Sequence, residues 1–574
     1  MNLNQLRKVL RHFQVLLMIV SSAWMGMSCK TAGRDSLVKN DFIAPDTAEF
    51  TVSGTDYVDL EAEYANKTAE QRLRRARVLA SYRARAVGFF LKCYIEDKEE
   101  GDANFNYGRF NGAVRVGTDT SSSIQAESGL RYSFRFSFQI AGYRDLIRRI
   151  QEDQKLDAKA KTFTIQTAEL PNRLMAKLPP GDEWFRSEPY QSFNPATLKE
   201  PLRPVQAEIT EQIPSRDAYL PIDELTAKGK LSMSVHFGWD GESEAGPGGV
   251  RNDIVLGRQL FEEFVKRGFT PPVAKASDYQ PFSKETQPLF KTITINGKKV
   301  RVEVSIYFAG QPSKNIPGPD PETNEGGQQA LDQLINSFAT QQVIAYLGHS
   351  GMGAGFNMSN WDRADVGTLT PGAIATMKML PSFQLVLVDG CQTYYLADSF
   401  WQNPAKTQHK HLNLITSLGF TDASSFHTIL QVSDALTAQE DGRMIAPRIQ
   451  TMLKALNPDL PPHLSPSKAF RTGPNAADED PIFPVYGVHG IEQNPTRNPL
   501  ADPTHLCRSC TDWSDCGGDG AICAGASGHK FCSFGCTADA GCGAGYVCRK
   551  TRMQATFGAG ICQPVEACSK ETSP

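Results

Sequence analysis

At 574 residues the chain is too long for a single hydrophobic core, so several folded units are expected. Its formal net charge of −3 excludes the strong overall attraction by which basic proteins bind nucleic acids and anionic membranes. Ten of the thirteen cysteines lie between Cys507 and Cys568, a density that is typical of a disulfide scaffold and therefore indicates an oxidising compartment.

The first 28 residues have the pattern of a secretory signal peptide. Basic residues precede an apolar segment, 13–27, which is too short for a comfortable membrane span and which leads into Ser28-Cys29. This end resembles a bacterial lipoprotein signal, and the resemblance implies that Cys29 is lipidated after cleavage. Plain secretion and a retained anchor are the alternatives. The protein is therefore predicted to be exported, as a lipoprotein of the cell envelope or outer membrane or as an extracellular protein, with residues 29–49 as a polar tether.

Residues 50–227 are predicted to form an α+β domain whose role stays open between a pro-region and a substrate-presenting domain. Apolar residues at three- and four-residue steps predict a helix over Glu70–Lys92, with its many arginines on a solvated face. Strict alternation over Leu130–Ile140 predicts a half-buried antiparallel strand, and Lys161–Thr167 predicts another. Frequent prolines over Leu170–Pro221 predict a long connection.

Residues 228–495 are predicted to form an α/β domain with a mostly parallel sheet and flanking helices. Short apolar runs bounded by glycine predict buried strands, which begin at Leu231, Val343 and Phe383. Helices are expected over Gly327–Phe338 and Pro371–Met379, ahead of the second and third of these strands. Asn252 or Asp253 is expected to cap a helix that ends at Arg267. Asn296-Gly297 predicts a two-residue hairpin.

Two of the predicted strands lead into reactive side chains, His349 and Cys391. Because ligands bind beyond the carboxyl ends of the strands in such a sheet, the imidazole and the thiol are expected to meet at one edge. A thiol titrates near pH 8.5, so a nucleophilic cysteine needs a neighbouring imidazolium or a helix start to favour the thiolate. The pair predicts a cysteine peptidase without metal or other cofactor, with backbone N–H groups near Gly351 and Cys391 as the oxyanion hole. Taken singly, each residue is as well explained as a buried thiol or a turn histidine.

The order of the two motifs, Gly348-His349-Ser350-Gly351 and then Asp389-Gly390-Cys391, resembles the caspase-like cysteine peptidases. That group contains caspases, metacaspases, clostripain, gingipains and separase-type proteins. Residues 249–269 are also similar to the loop and first helix of metacaspases. The resemblance covers somewhat under half of the chain and implies a caspase-like fold, with His349 as acid/base and Cys391 as nucleophile. Two features depart from the pattern: the Gln-Ala-Cys signature of caspases is absent, and Ser350 follows the histidine directly.

The resemblance also implies a substrate preference. In these families the residue two positions before the cysteine lines the pocket for the side chain that precedes the cleaved bond. Asp389 in that place implies cleavage after Arg or Lys, although the carboxylate is equally suited to cap the following helix. Arg251 lies on the loop where caspases carry an arginine, and it would instead imply an acidic preference.

Two other functions stay open. Ser350, Asp389 and His489 follow the order of a serine α/β-hydrolase triad, but the nucleophile turn of that fold requires glycine where this chain has Met352. Alternatively the core is a noncatalytic scaffold, and the C-terminal module binds a surface ligand of unknown identity.

A linker over 496–506 leads to a cysteine-rich module over 507–568. Its cysteines are predicted to form five disulfides of undetermined connectivity: Cys507, Cys510, Cys516, Cys523, Cys532, Cys536, Cys542, Cys548, Cys562 and Cys568. Two copies of one unit, beginning at Cys510 and Cys536, resemble EGF-like or dickkopf-like repeats. A zinc site is the alternative, but no His pair at ligand spacing accompanies the cysteines. Cys93 lies among aromatic residues and is predicted to be a buried thiol.

The sequence therefore predicts a multidomain protein in which an α+β domain, a caspase-like α/β core and a disulfide-rich module follow one another. The predicted function is that of an exported endopeptidase with a His349–Cys391 dyad, acting on a protein or peptide substrate and binding no nucleic acid. A membrane contact is expected only through the lipid on Cys29.

Overall fold

The computed structural model describes residues 41–45, 47–95, 110, 112–115, 121–169, 201–213, 215–240, 249–350, 355–361, 363–419, 421, 425–440, 443–457, 485–501, 509–511, 513–516, 521–524, 530–537, 539, 542, 546–549 and 560–564. The predicted signal peptide, Cys29, Gly351, Cys507 and Cys568 lie outside these residues. Within the described part of the chain, no helix combines the length and the hydropathy of a membrane span.

The regular elements are as follows. The strands are β1 (Phe42–Ile43), β2 (Thr47–Asp59), β3 (Ala113–Arg115), β4 (Ser121–Ala126), β5 (Arg131–Tyr143), β6 (Thr162–Ala168), β7 (Leu202–Glu211), β8 (Lys230–Phe237), β9 (Leu289–Ile295), β10 (Lys298–Tyr307), β11 (Val343–Leu347), β12 (Phe356–Asn357), β13 (Thr368–Leu369), β14 (Gln384–Asp389), β15 (Leu412–Ser417), β16 (Gln439–Glu440), β17 (Arg443–Met444), β18 (Tyr486–His489), β19 (Ala521–Ala524), β20 (Phe531–Cys536), β21 (Tyr546–Arg549) and β22 (Gly560–Pro564). The α-helices are α1 (Ala69–Ile95), α2 (Leu146–Asp153), α3 (Ile222–Thr226), α4 (Asn252–Lys266), α5 (Asn324–Thr340), α6 (Pro371–Thr376), α7 (Ala397–Gln402), α8 (His427–Thr437) and α9 (Ile449–Leu456).

An eight-stranded mixed sheet forms the centre of the α/β region, in the order β1-β18-β15-β14-β11-β8-β10-β9. The five strands β15, β14, β11, β8 and β10 are parallel to their neighbours within this set. The outer strands β9, β18 and β1 are antiparallel. The sequence identified the parallel centre because β11 and β14 are nearly continuous apolar runs that are buried on both faces.

Helices cover both faces of this sheet. On one face α4, α8 and α9 pack their apolar residues against side chains such as Met233 and Leu387. On the other face α5, α6 and α7 pack against Ile344, Tyr346 and Val386. The three layers leave the carboxyl ends of the parallel strands as the edge at which a ligand can bind.

The hairpin between β9 and β10 is confirmed. Lys298 pairs with Ile295, and Asn296 and Gly297 both have positive φ, 48° and 73°, as a type I′ turn requires. The predicted cap of α4 is wrong. Arg251 precedes the helix without a side-chain capping bond, and the Asn252 amide donates instead to Asp240 (2.9 Å).

The region before the α/β core contains a six-stranded antiparallel sheet, β3-β5-β2-β7-β6 with β4 against β5, covered by α1. The strand predicted over Leu130–Ile140 is confirmed as β5, and Cys93 is buried as predicted. The solvated arginine face of α1 was only partly right. Arg83 is buried and forms an ion pair with Asp56 (2.7 Å).

Two segments that the sequence described as irregular contain strands. The tether predicted over 29–49 ends early, because β1 pairs with β18 and β2 begins at Thr47. The connection predicted over Leu170–Pro221 contains β7. Pro204 is tolerated there because β7 pairs with β2 only from Ala207 onward, so the N–H that proline lacks is not needed on that side.

The cysteine-rich region contains two repeats with the same disulfide pattern. Within each repeat the first half-cystine joins the third and the second joins the fourth: Cys510–Cys523 and Cys516–Cys532, then Cys536–Cys548 and Cys542–Cys562. Sulfur atoms from the two disulfides of one repeat lie close together, but disulfide sulfurs are not thiolate ligands, which argues against the zinc alternative for these eight cysteines. The disulfides indicate a compartment outside the reducing cytoplasm.

Candidate functional site

The residues that carry the imidazole and the thiol follow neighbouring parallel strands. Leu347 of β11 and Asp389 of β14 are Cα partners, and the Gly348 amide donates to the Asp389 carbonyl (3.1 Å). His349 and Cys391 each lie two residues beyond this pair, at the same edge of the sheet. The structure therefore brings the two strand ends together in the way the sequence predicted.

Glycines allow the strand ends to approach closely. A Cβ at Gly390 would lie 2.6 Å from the Cβ of Ser350 and 2.9 Å from the Gly348 carbonyl oxygen. A Cβ at Gly348 would lie 2.8 Å from the Cα of Gly238, which follows β8. The backbones after three adjacent strands are thus in contact, and any larger residue would force them apart.

The turn that contains Cys391 is held by the end of β15. The Ser417 hydroxyl donates to the Gly390 carbonyl, and the backbone N–H of Gln392 donates to the Gly419 carbonyl (2.8 Å). The Ser417 amide in turn donates to the Thr393 hydroxyl (2.9 Å). The residues on both sides of Cys391 are therefore fixed before any substrate binds, which is the condition for precise placement of a nucleophile.

Gln392 has a left-handed backbone, with φ at 52°. For a residue other than glycine this conformation costs on the order of 1 kcal/mol or more, and residues held in it cluster at functional sites. Two short helical segments follow, a 3-10 helix over Thr393–Leu396 and then α7. The helix start expected at Cys391 itself therefore lies two residues further along the chain.

The Cys391 side chain is partly exposed and is a thiol, not half of a disulfide. Its Sγ lies 3.8 Å from the Thr421 carbonyl oxygen, to which the thiol donates. Thr421 belongs to the segment after β15, so the sulfur faces the rim of the sheet and not the apolar interior. A small electrophile can reach a thiol in this position.

The imidazole of His349 lies beside a carboxylate that the sequence analysis did not select. Its Nε2 is 3.9 Å from Asp240 Oδ1, while Asp240 Oδ2 accepts from Asn252. Nε2 is shielded from solvent and has no hydrogen-bond partner among the described residues. The ring also contacts Trp361, at 5.1 Å between ring centroids. Asp240 follows β8 at the same sheet edge, a position that the strand prediction implied, so a carboxylate faces the imidazole there.

Tyr346 holds the backbone that follows β11. Its hydroxyl donates to the His349 carbonyl (2.7 Å) and accepts from the backbone N–H of Asn357 (2.9 Å). Burial raises the pKa of Tyr346 well above its ordinary value, and the charge of a Cys391 thiolate acts in the same direction. The hydroxyl thus stays protonated and continues to hold the backbone of the histidine.

Asp389 lies beneath the site and is 1% exposed. Its carboxylate accepts hydrogen bonds from the Tyr486 hydroxyl (2.7 Å) and from the Thr428 hydroxyl, which tie β14 to β18 and α8. Neither contact tests the predicted pocket role, which stays a prediction. The Arg251 guanidinium is buried against Asp253 and two backbone carbonyls, so it faces the protein interior and not a substrate.

The arrangement of a serine hydrolase is not assembled. Ser350 is buried, and its hydroxyl has no hydrogen-bond partner among the described residues. His489 Nε2 is hydrogen-bonded to the Thr416 hydroxyl (2.9 Å). Because β18 is antiparallel, His489 pairs with Leu414, three residues before the end of β15, while Asp389 lies at the end of β14. The three side chains of the alternative triad therefore do not form a chain of contacts.

Comparison of the chain with models of protein families, with curated proteins and with solved structures finds no match.

Proposed function

We propose that this chain is an exported cysteine peptidase of the caspase-like type, in which Cys391 is the nucleophile and His349 the general acid/base. The observation that carries the proposal is the register of β11 against β14. His349 and Cys391 each follow the Leu347–Asp389 pair by two residues. A partly exposed thiol and a partly exposed imidazole at one sheet edge are the groups that peptide-bond cleavage through a thioester requires.

The reaction follows from these groups. The Cys391 thiolate attacks the carbonyl carbon of the peptide bond and forms a C–S bond, and the carbonyl oxygen becomes an oxyanion. The imidazolium of His349 gives its proton to the departing amine as the C–N bond breaks. Neutral His349 then takes a proton from water, and the hydroxide attacks the thioester and releases the acid. The thiolate and the imidazolium are restored, so that no other reactant is needed.

Asp240 supports this cycle by its charge. A carboxylate 3.9 Å from Nε2 stabilises the imidazolium that must be present when the amine departs. The side-chain amide of Asn252 donates to the other carboxylate oxygen and thereby fixes the orientation of the Asp240 carboxylate. The contribution to the rate is expected to be about tenfold, since both side chains retain some exposure to solvent.

Cleavage after Arg or Lys is the preference that we assign to the site. It rests on Asp389, whose buried carboxylate lies two residues before the nucleophile. A cationic substrate side chain would have to displace the Tyr486 or Thr428 hydroxyl in order to pair with this carboxylate. The disulfides support export, and attachment through a lipid on Cys29 is the corresponding proposal for its location.

The decisive experiment compares the wild type with Cys391→Ala on fluorogenic peptides that carry Arg, Lys, Asp or Ala before the scissile bond. The wild type is expected to hydrolyse the Arg and Lys peptides, and the variant is expected to lose at least about 1,000-fold in kcat. Ser350→Ala is the matched control and is expected to retain most of the activity. Hydrolysis that survives in Cys391→Ala and disappears in Ser350→Ala would establish the serine hydrolase instead. A wild type inactive on every peptide would favour the noncatalytic scaffold.

A further inference from the structure

We propose that the six-stranded β-sheet region is a fixed part of the catalytic centre, in which Glu49 and Lys92 are positioning residues for the segment that follows Cys391. This inference rests on the peptidase function proposed above. It assigns a role to the six-stranded region, for whose residues 50–227 the sequence left a removable pro-region or a substrate-presenting domain open. The contacts of this region with Tyr394 and Tyr395 instead make it a support for the segment that follows the nucleophile.

Tyr394, three residues after Cys391, is held by the six-stranded sheet. The Tyr394 side chain is fully buried, and its hydroxyl donates to Glu49 of β2. Its ring lies 5.2 Å from the Arg115 guanidinium of β3. It also meets the ring of Phe42 edge-on, at 5.2 Å between centroids. Apolar residues from both regions close the contact into one buried cluster: Phe42, Ala44, Ala113, Ala141, Tyr394 and Leu418.

Charged groups buried at this contact depend on partners from both sides. Burial raises the pKa of Glu49, and Arg115 acts against this increase. Arg115 also forms an ion pair with Asp398 of α7 (3.7 Å), so one guanidinium links β3 to the helix that follows the nucleophile. Removal of the six-stranded region would expose the apolar cluster around Tyr394 to water and would leave the Tyr394 hydroxyl without its acceptor Glu49. Removal of this region during maturation would therefore destabilise the segment that follows Cys391.

Tyr395, the next residue, connects the thiol side of the site with the imidazole side. Its hydroxyl accepts from the backbone N–H of Gly355, which lies six residues after His349 in the chain. Lys92 of α1 lies over its ring, with Nζ 4.8 Å from the centroid. Tyr394 and Tyr395 therefore make separate contacts with the six-stranded region, one with its sheet and the other with its helix. The placement of the segment that follows Cys391 therefore depends on that region.

The test uses the full chain and separates placement from folding. Tyr394→Phe removes only the hydroxyl, and Glu49→Ala removes its acceptor. Each is expected to lower kcat about tenfold while KM changes less than about twofold. Glu49→Gln keeps an amide oxygen that accepts from Tyr394 and is expected to restore most of the rate. Lys92→Met keeps the apolar stem without the cation and tests the contact with Tyr395 independently. It is expected to lower kcat about threefold.

Tyr57→Phe is the matched control. Tyr57 also lies on β2, eight residues from Glu49 and therefore roughly 26 Å away along the strand. Its hydroxyl is expected to be irrelevant to kcat. The rate at which iodoacetamide alkylates Cys391 is measured in every variant, because it reports on the turn without requiring hydrolysis.

The outcomes distinguish the two proposals. If the wild type hydrolyses peptides but Tyr394→Phe and Glu49→Ala match it in kcat and alkylation rate, the positioning role is overturned and the peptidase stands. The positioning role is equally overturned if Glu49→Gln lowers kcat as much as Glu49→Ala does. If no peptide is cleaved but alkylation of Cys391 slows in the expected order of variants, the positioning role stands and the peptidase proposal fails.

Discussion

Gly390 and Ser350 meet where the ends of β14 and β11 converge, and a Cβ at residue 390 would lie 2.6 Å from that of Ser350. Real Cβ contacts do not occur at this distance, so one of the two backbones would have to move. The backbones that carry Cys391 and His349 can therefore approach each other because residue 390 has no side chain.

Gly390→Ala is accordingly expected to separate the two loops and to lower kcat/KM by at least about 100-fold, with a loss of stability of about 1–3 kcal/mol. Peptide hydrolysis and denaturant unfolding measure the two effects. Gly372→Ala is the matched control, since nothing lies within 4 Å of its added Cβ and the residue is in α6. Full activity in Gly390→Ala would show that the catalytic loops do not depend on this contact.

Asp240→Asn removes the charge beside His349 while its amide oxygen can still accept from Asn252. We expect kcat to fall about tenfold, which corresponds to about 1.4 kcal/mol of transition-state stabilisation. The measurement is kcat at saturating peptide.

Glu322→Gln is the control for this substitution. The Glu322 carboxylate accepts from Trp239 and Asn360 and pairs with Arg363. A change of less than about twofold is expected. An Asp240→Asn variant that keeps the wild-type kcat would remove Asp240 from the mechanism.

Much of the large sheet was predictable because its central strands are apolar on both faces. An apolar run such as Val343–Leu347 is visible in the sequence without any knowledge of its partners. The two-residue strand β1 was not visible, since pairing with β18 and not local pattern creates it. β7 was hidden by Pro204, whose tolerance depends on where β2 stops pairing.

The candidate site was predictable to the same depth. The placement of His349 and Cys391 follows from strand order, because parallel strands end at one edge of the sheet. The environment of Asp389 could not be derived, since Tyr486 and Thr428 reach it from elements far along the chain. Ser417 was missed for the same reason, whereas Asp240 could have been found by applying the edge rule to β8 as well.

Buried histidines are expected to make the core sensitive to acid. Burial lowers the pKa of His236 to about 3 and lowers the pKa of His489 well below its ordinary value. The unfolded chain binds protons at these groups near pH 6.5, while the folded chain does not, so stability is complete above that pH and falls as the pH is lowered. Between pH 6.5 and about 3 His236 therefore contributes a loss of stability that grows as the pH falls.

His236→Gln is the variant that checks this, because an amide can still bond to the Ser337 hydroxyl, now 3.0 Å from the histidine ring. Urea unfolding at pH 7, 6, 5 and 4 should show a shallower decline than in the wild type. His427→Gln, at an exposed position, should leave the decline unchanged. Equal declines in all three proteins would mean that His236 is protonated in the folded state.

The disulfide repeats are expected to be independent of peptide hydrolysis. Replacement of both Cys516 and Cys532 by alanine should destabilise the first repeat by about 2–4 kcal/mol, since the constraint on its unfolded state is lost. Peptide hydrolysis should stay within about twofold of the wild type, because none of the described residues assigned to the site belongs to this module. Limited proteolysis with mass spectrometry locates the destabilised segment. A parallel loss of hydrolysis would instead make the module part of the catalytic unit.

The most direct test of the thiol–imidazole pair is the rate at which iodoacetamide alkylates Cys391 at pH 6.5, with the modified residue identified by mass spectrometry. The wild type is expected to react at least about ten times faster than His349→Ala, because the imidazolium maintains a thiolate at a pH where an ordinary thiol is protonated. Buried Cys93 should stay unmodified, and Cys391→Ala gives the background. Equal rates in the wild type and in His349→Ala would contradict the account.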